Sequence, residues 1–115
     1  MRLGFLLAGL AILSSAALAQ TAPKLNEKAL RAALEDRLKD ADSAKFRALK
    51  YLASESPGSW AMCGEVNAKN SYGGYSGFEP FRALAFKDLG QPVQYFLIGI
   101  GEAAGNVCAS DGLRP

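Results

Sequence analysis

Apolar residues recur every four positions at Leu30, Leu34 and Leu38, with Ala33 and Ala41 beside them and charges opposite. This spacing predicts an amphipathic helix running from Leu25 to near Asp40. Glu27 with Arg31 and Glu35 with Lys39 are acid-to-base pairs four apart, each adding about 0.2–0.5 kcal/mol to an isolated helix. They read as structural rather than functional. Asp42 or Ser43, whose short side-chain oxygens accept orphan amides, is expected to cap one further helical turn. Phe46 to Ala53 fits strand or helix by pattern, and its shortness and the turn cluster Ser54-Glu55-Ser56-Pro57-Gly58-Ser59 favour a strand. A second strand follows from Trp60 to Ala68, with Met62, Gly64 and Val66 on one face and Ala61, Cys63, Glu65 and Asn67 on the other. A third runs from Tyr75 or Gly77 to Phe86, joined by a turn over Asn70 to Gly74, and Pro80 places its first half at a sheet edge or bulge. After the turn Asp88-Leu89-Gly90-Gln91-Pro92, Val93 to Ile98 is a continuous apolar run broken only by Gln94. From Gly99 to Cys108 the chain reads as glycine-rich and irregular. The sum is an α+β domain, one N-terminal amphipathic helix packed on a small antiparallel sheet of about four strands.

Upstream of the helix the pattern changes. Arg2, the apolar run Leu3 to Leu13 and the small-residue segment Ser14-Ser15-Ala16-Ala17-Leu18-Ala19 form the three parts of a secretory signal peptide. Ala17-Leu18-Ala19 matches the A-x-A cleavage pattern, so the expected division is a signal peptide over 1–19 and one domain over 20–115. Gln20 to Lys24 is a short flexible leader. The apolar run stops short of the roughly 20 residues a membrane-spanning helix needs, so no span is expected in the mature form. No cysteine stands near the cleavage point to carry a lipid. The expected location is the periplasm or the exterior.

Charge and cysteine content refine this picture. The 115 residues carry 13 basic and 11 acidic side chains, and losing Arg2 with the signal peptide leaves the mature chain near +1. Such balance gives no reason to expect nucleic acid as a partner, since that binding rests on clustered excess Lys and Arg. Cys63 and Cys108 are the only two cysteines, and export to an oxidising compartment predicts a disulfide between them. Closing that loop adds about 4 kcal/mol in the chain-entropy model, less any native strain. With no histidine and no third cysteine, soft-metal coordination lacks ligands, and Ser-His-Asp or Cys-His catalysis lacks its base. No cofactor is expected. Gly99-Ile100-Gly101-Glu102-Ala103-Ala104 fits the G-x-G-x-x-G/A pattern, but the helix, parallel strand and acidic residue about 20 positions on that a dinucleotide site requires are not expected before Pro115. Glu65, Glu79 and Glu102 supply carboxylates without a spacing that singles out glycosidic chemistry.

The remaining chemistry gathers in Glu65, Asn67, Lys69, Asn70, Tyr72 and Tyr75. On a strand Glu65, Asn67 and Lys69 share a face, and Asn70, Gly73 and Gly74 supply the positive backbone angles a hairpin connection needs. Tyr72 and Tyr75 offer flat apolar area with a polar tip, the residue type favoured at recognition surfaces. One reading is a binding surface for a protein or a glycan. The other is structural: Asn67 and Lys69 support the turn through backbone hydrogen bonds, Glu65 pairs with Lys69, and the tyrosines pack over the sheet.

Two segments carry a resemblance. Asp42-Ser43-Ala44-Lys45-Phe46-Arg47 and Cys63-Gly64-Glu65-Val66-Asn67-Ala68-Lys69-Asn70-Ser71-Tyr72-Gly73-Gly74-Tyr75-Ser76-Gly77-Phe78 resemble a group of small exported or phage-borne bacterial proteins. That group combines D-x-x-S-A-x-F-R with C-G-E-V-N-A-K-N-S-x-G-G-Y-x-G-F, usually with proline after the first aspartate, which Ala41-Asp42-Ser43 lacks. The resemblance implies a bacterial envelope setting and no mechanism. The expected function is therefore a non-enzymatic binding module whose partner is an envelope protein or glycan. The alternatives are a cell-wall hydrolase or an inhibitor of one, and a structural accessory with no discrete site.

Overall fold

Alternation along residues 59–69 sends Trp60, Met62 and Val66 into one buried layer and Cys63 into another, so this strand is covered on both faces. It is β2 (Ser59–Lys69) of a four-stranded antiparallel sheet with β1 (Asp40–Ala53), β3 (Glu79–Phe86) and β4 (Gln94–Ile100), paired in chain order. The helix α1 (Glu27–Ala33) packs on one face and α2 (Glu102–Ser110) on the other. The computed structural model describes residues 21–113, and the predicted signal peptide and its cleavage site lie outside them.

The α1 helix is shorter than its leucine spacing predicts. Asn26 caps it, its Oδ1 accepting the Ala29 amide at 3.0 Å, and Arg31 pairs with Glu27 at 3.0 Å. Leu30 and Leu34 are fully buried. Beyond Ala33 the chain turns instead of continuing to Asp40: the Leu34 and Arg37 amides donate to Arg31 and Leu34 carbonyls three residues back. Leu38 still reaches the core, but from the turn, which is why the four-residue spacing outruns the helix. Pairing of Asp40 with Lys69 then draws the chain into β1, so Asp42 and Ser43 lie in a strand and cap nothing helical.

β1 begins earlier than predicted and carries two irregularities, between Asp40 and Lys45 and between Arg47 and Lys50. In the second, Ala48 takes φ +54°, a left-handed conformation unfavourable for a residue with a Cβ. The extra residue lets Phe46, Leu49 and Tyr51 all reach the α1 face, which period-two alternation alone forbids. Leu49 then closes over Gly64. A Cβ at Gly64 would lie 2.5 Å from Leu49 Cδ2 and 2.9 Å from Phe81 Cε1, so only hydrogen fits there.

The third strand starts at Glu79, not at Tyr75 or Gly77, and although it is interior in strand order, Glu79 and Pro80 lie beyond the end of β4, a local edge at the place expected for Pro80. Pro80 is tolerated because its carbonyl accepts the Gly101 amide at 2.8 Å, so its donor-less nitrogen faces the point where β4 has given way to α2. The one irregularity of β3 with β4 falls nearby, between Arg82 and Ala83.

The largest correction is α2. The segment expected to be irregular is a nine-residue helix opened by Gly101 at φ +113°. Ala104 and Cys108, four apart, face the sheet, and Gly105 lies against Pro80, where a Cβ would meet the ring at 3.0 Å. The Cys63–Cys108 disulfide and an Arg82–Asp111 ion pair at 2.6 Å fasten this helix down.

The main core lies on the α1 face: Leu30, Leu34, Ala44, Met62, Val66, Phe81 and Ala83, with Phe46 edge-on to Phe81 at 5.9 Å. A second cluster of Trp60, Ala85 and Val93 closes one end, and Ala22 packs on it, so the leader expected to be flexible is docked there. Burial first, and Tyr95 beside it, push the Tyr51 phenol up to about 12.

Candidate functional site

Because α2 packs on β3 and β4, the other half of its face, on β1 and β2, is left to polar side chains. Lys45 lies opposite Asn67 and Arg47 opposite Glu65 in the ladder, so strand alternation places all four on this face with Lys69. The Arg47 guanidinium donates to both Glu65 carboxylate oxygens at 3.3 Å and lies 3.8 Å from the centroid of the Phe78 ring. Beside this pair, the Tyr75 ring has Lys45 Nζ at 4.5 Å and Lys69 Nζ at 5.9 Å from its centroid. The result is a ladder of three cations and two aromatic rings along one sheet surface.

Ser43 fixes the position of Tyr75. The irregular start of β1 leaves the Lys69 amide without a regular strand partner, and the Ser43 hydroxyl accepts it at 2.9 Å while donating to the Asp40 carbonyl at 2.7 Å. The Ser43 carbonyl in turn accepts the Tyr75 hydroxyl at 3.0 Å. A residue expected to cap a helix instead locks the aromatic ring.

The connection from β2 to β3 is built on two amides. Asn70 Oδ1 accepts the Tyr72 amide at 2.9 Å and the Gly74 amide at 3.3 Å, and its Nδ2 donates to Ser76 Oγ at 3.1 Å. Asn67 Oδ1 accepts the Gly77 amide at 3.1 Å, and Lys69 bridges Tyr75. Gly73, at φ +80°, supplies a positive angle, whereas Asn70 and Gly74 do not. Asn70 shapes the turn through its side chain. Tyr72 stands 98% exposed at the tip and does not pack over the sheet.

The structure thus brings Lys69 and Tyr75 together, gathers Asn67 and Asn70 beneath the turn, and leaves Tyr72 projecting alone. Glu65 pairs with Arg47 across the strands and not with Lys69. Lys45, Arg47, Ser43 and Phe78 join the cluster without having been named as site residues. The signal for them was the pairing of two segments: 40–47 and 63–78 lie side by side, so each supplies the partners of the other. Glu65 and Glu79 do not converge, because Glu65 pairs with Pro80 and Glu79 with Val66, which places their side chains on opposite faces. Glu102 opens α2. Among the described residues no group of three Cys, Asp or Glu is placed to hold a metal ion, and no helix is long and apolar enough to cross a membrane.

No protein-family model matches this chain, and neither a curated protein nor a solved structure matches it. What the arrangement can do therefore rests on its own geometry. Lysine ammonium groups beside an aromatic face, on a turn fixed by internal hydrogen bonds, make a preorganised cationic and aromatic surface.

Proposed function

We propose that this is a non-enzymatic binding module of the bacterial periplasm or exterior, engaging an envelope protein or glycan through the ladder around Lys69, Tyr72 and Tyr75. One observation carries the reading: Tyr72 projects into solvent on a turn whose neighbours are held by hydrogen bonds, with Tyr75 and its two lysines alongside. A large amphipathic ring presented to water suits recognition better than stability. The resemblance of segments 42–47 and 63–78 to small exported bacterial proteins adds the envelope setting, and their pairing accounts for both segments with one surface.

A structural accessory is the second reading, favoured by Asn67 and Tyr75 spending their polar atoms on the chain itself. The two separate in affinity capture from an envelope extract with the parent protein and its Lys69→Ala, Tyr72→Ala, Tyr75→Ala variant, melting curves of both being compared first. A partner held by the parent and lost by a folded variant supports the binding module. Equal capture by both, or none, sinks it and leaves the turn as scaffold.

A further inference from the structure

The two edges of the sheet are treated differently. β1 presents Lys45, Arg47 and Lys50, two ladder irregularities and the left-handed Ala48, all of them devices that discourage another strand from pairing. β4 reads Gln-Tyr-Phe-Leu-Ile-Gly-Ile, with no charge and no proline, and its pairing with β3 is regular from Gln94 to Leu97. Its outer side has no strand partner among the described residues. Register also aligns Leu52, Ala61, Leu84 and Phe96 in one cross-strand row, on the part of the second face beyond the disulfide. Phe96 is 62% exposed and Ile98 49%. An apolar row that runs out to an edge strand with no charge and no proline of its own is a surface for strand addition.

Charge identifies the partner. Asp36 and Arg37 line a cleft with Tyr95, Phe96 and Leu97, beside the middle of β4, and neither side chain has an ion-pair partner among the described residues. In an antiparallel pair of β4 strands, a two-fold axis near Phe96 and Leu97 would turn this patch against itself and set Arg37 of each copy beside Asp36 of the other. We propose that β4 pairs antiparallel with β4 of a second copy of this chain, joining two sheets into one and covering Phe96. This interface is independent of the Lys69 ladder.

The test is sedimentation equilibrium of the purified protein from about 1 to about 200 μM, a range bracketing micromolar association. The parent is expected to pass from one-chain to two-chain mass with concentration, and Phe96→Lys to remain one chain with its melting curve retained. Arg37→Asp alone sets like charges together and raises the dissociation constant at least about tenfold, while the swap Asp36→Arg with Arg37→Asp restores it. If Phe96→Lys fails to fold, the charge swap decides the matter by itself. A parent that stays one chain throughout overturns the proposal, as does a Phe96→Lys dimer or a swap that restores nothing. A one-chain parent that binds vesicles of phosphatidylethanolamine and phosphatidylglycerol through Phe96 assigns the row to a lipid surface and equally overturns it.

Discussion

The two faces of the sheet are held by different physics. On the first, Leu30 of α1 and Leu34 at its C-cap are fully buried in a core with Met62, Val66, Phe81 and Ala83, and cohesion comes from apolar area. On the second, α2 offers only Ala104, Gly105 and Cys108 to the sheet, and it is held by a disulfide with the Arg82–Asp111 pair. Fastening a helix covalently removes the need for a broad apolar footprint. The consequence is that half of the second face is free of packing duty, and that half carries the Lys45, Arg47, Lys69 and Tyr75 ladder.

The contrast is most vulnerable at Phe81. Its ring is fully buried against Phe46, so Phe81→Ala should cost about 3–5 kcal/mol in denaturant unfolding, through lost transfer energy and an unfilled cavity. A cost below about 1 kcal/mol would show that the α1 face is not the main core. On the other face, Cys63→Ser with Cys108→Ser should remove up to about 4 kcal/mol and detach α2, read as lost helical circular dichroism with the sheet signal retained. An unchanged melting curve would mean the staple is idle.

Alkaline titration separates the two faces in another way, because the raised phenol belongs to the α1 side. Tyr51 ionises near 12 when folded against an ordinary value of 10.0, so the folded chain holds that proton more tightly. Its contribution is whole below about pH 10 and is lost as pH climbs toward 12. Stability should therefore fall over that window, and Tyr51→Phe should flatten the fall; identical slopes would remove Tyr51 as its source. The smallest effect is expected in the turn. Asn70→Ala removes acceptors for the Tyr72 and Gly74 amides, which are exposed to water, and should cost about 0.5–1.5 kcal/mol while loosening residues 71–76 in hydrogen exchange.

How far the sequence can be read follows the same division. β2 and β4 were legible from alternation and an apolar run broken only by Gln94, and the disulfide from two cysteines in a chain expected to be exported. The end of α1 was not, because Leu38 keeps helical spacing while reaching the core from a turn. The α2 helix was hidden by Gly99, Gly101 and Gly105, although Glu102 in its first turn and the Ala104 to Cys108 spacing marked it. The polar cluster was half legible. Lys69 and Tyr75 stood out by type and spacing, whereas Ser43, Lys45 and Arg47 depend on β1 pairing with β2 in an irregular register, which no local pattern encodes.

If the open half of the second face is where this protein meets its partner, amide shift mapping should locate the contact there. Isotope-labelled protein would be titrated with the material captured from the envelope. Broadening confined to residues 45–47 and 69–78 is the expected result. Perturbation on the α1 face, or none anywhere, would rule that surface out.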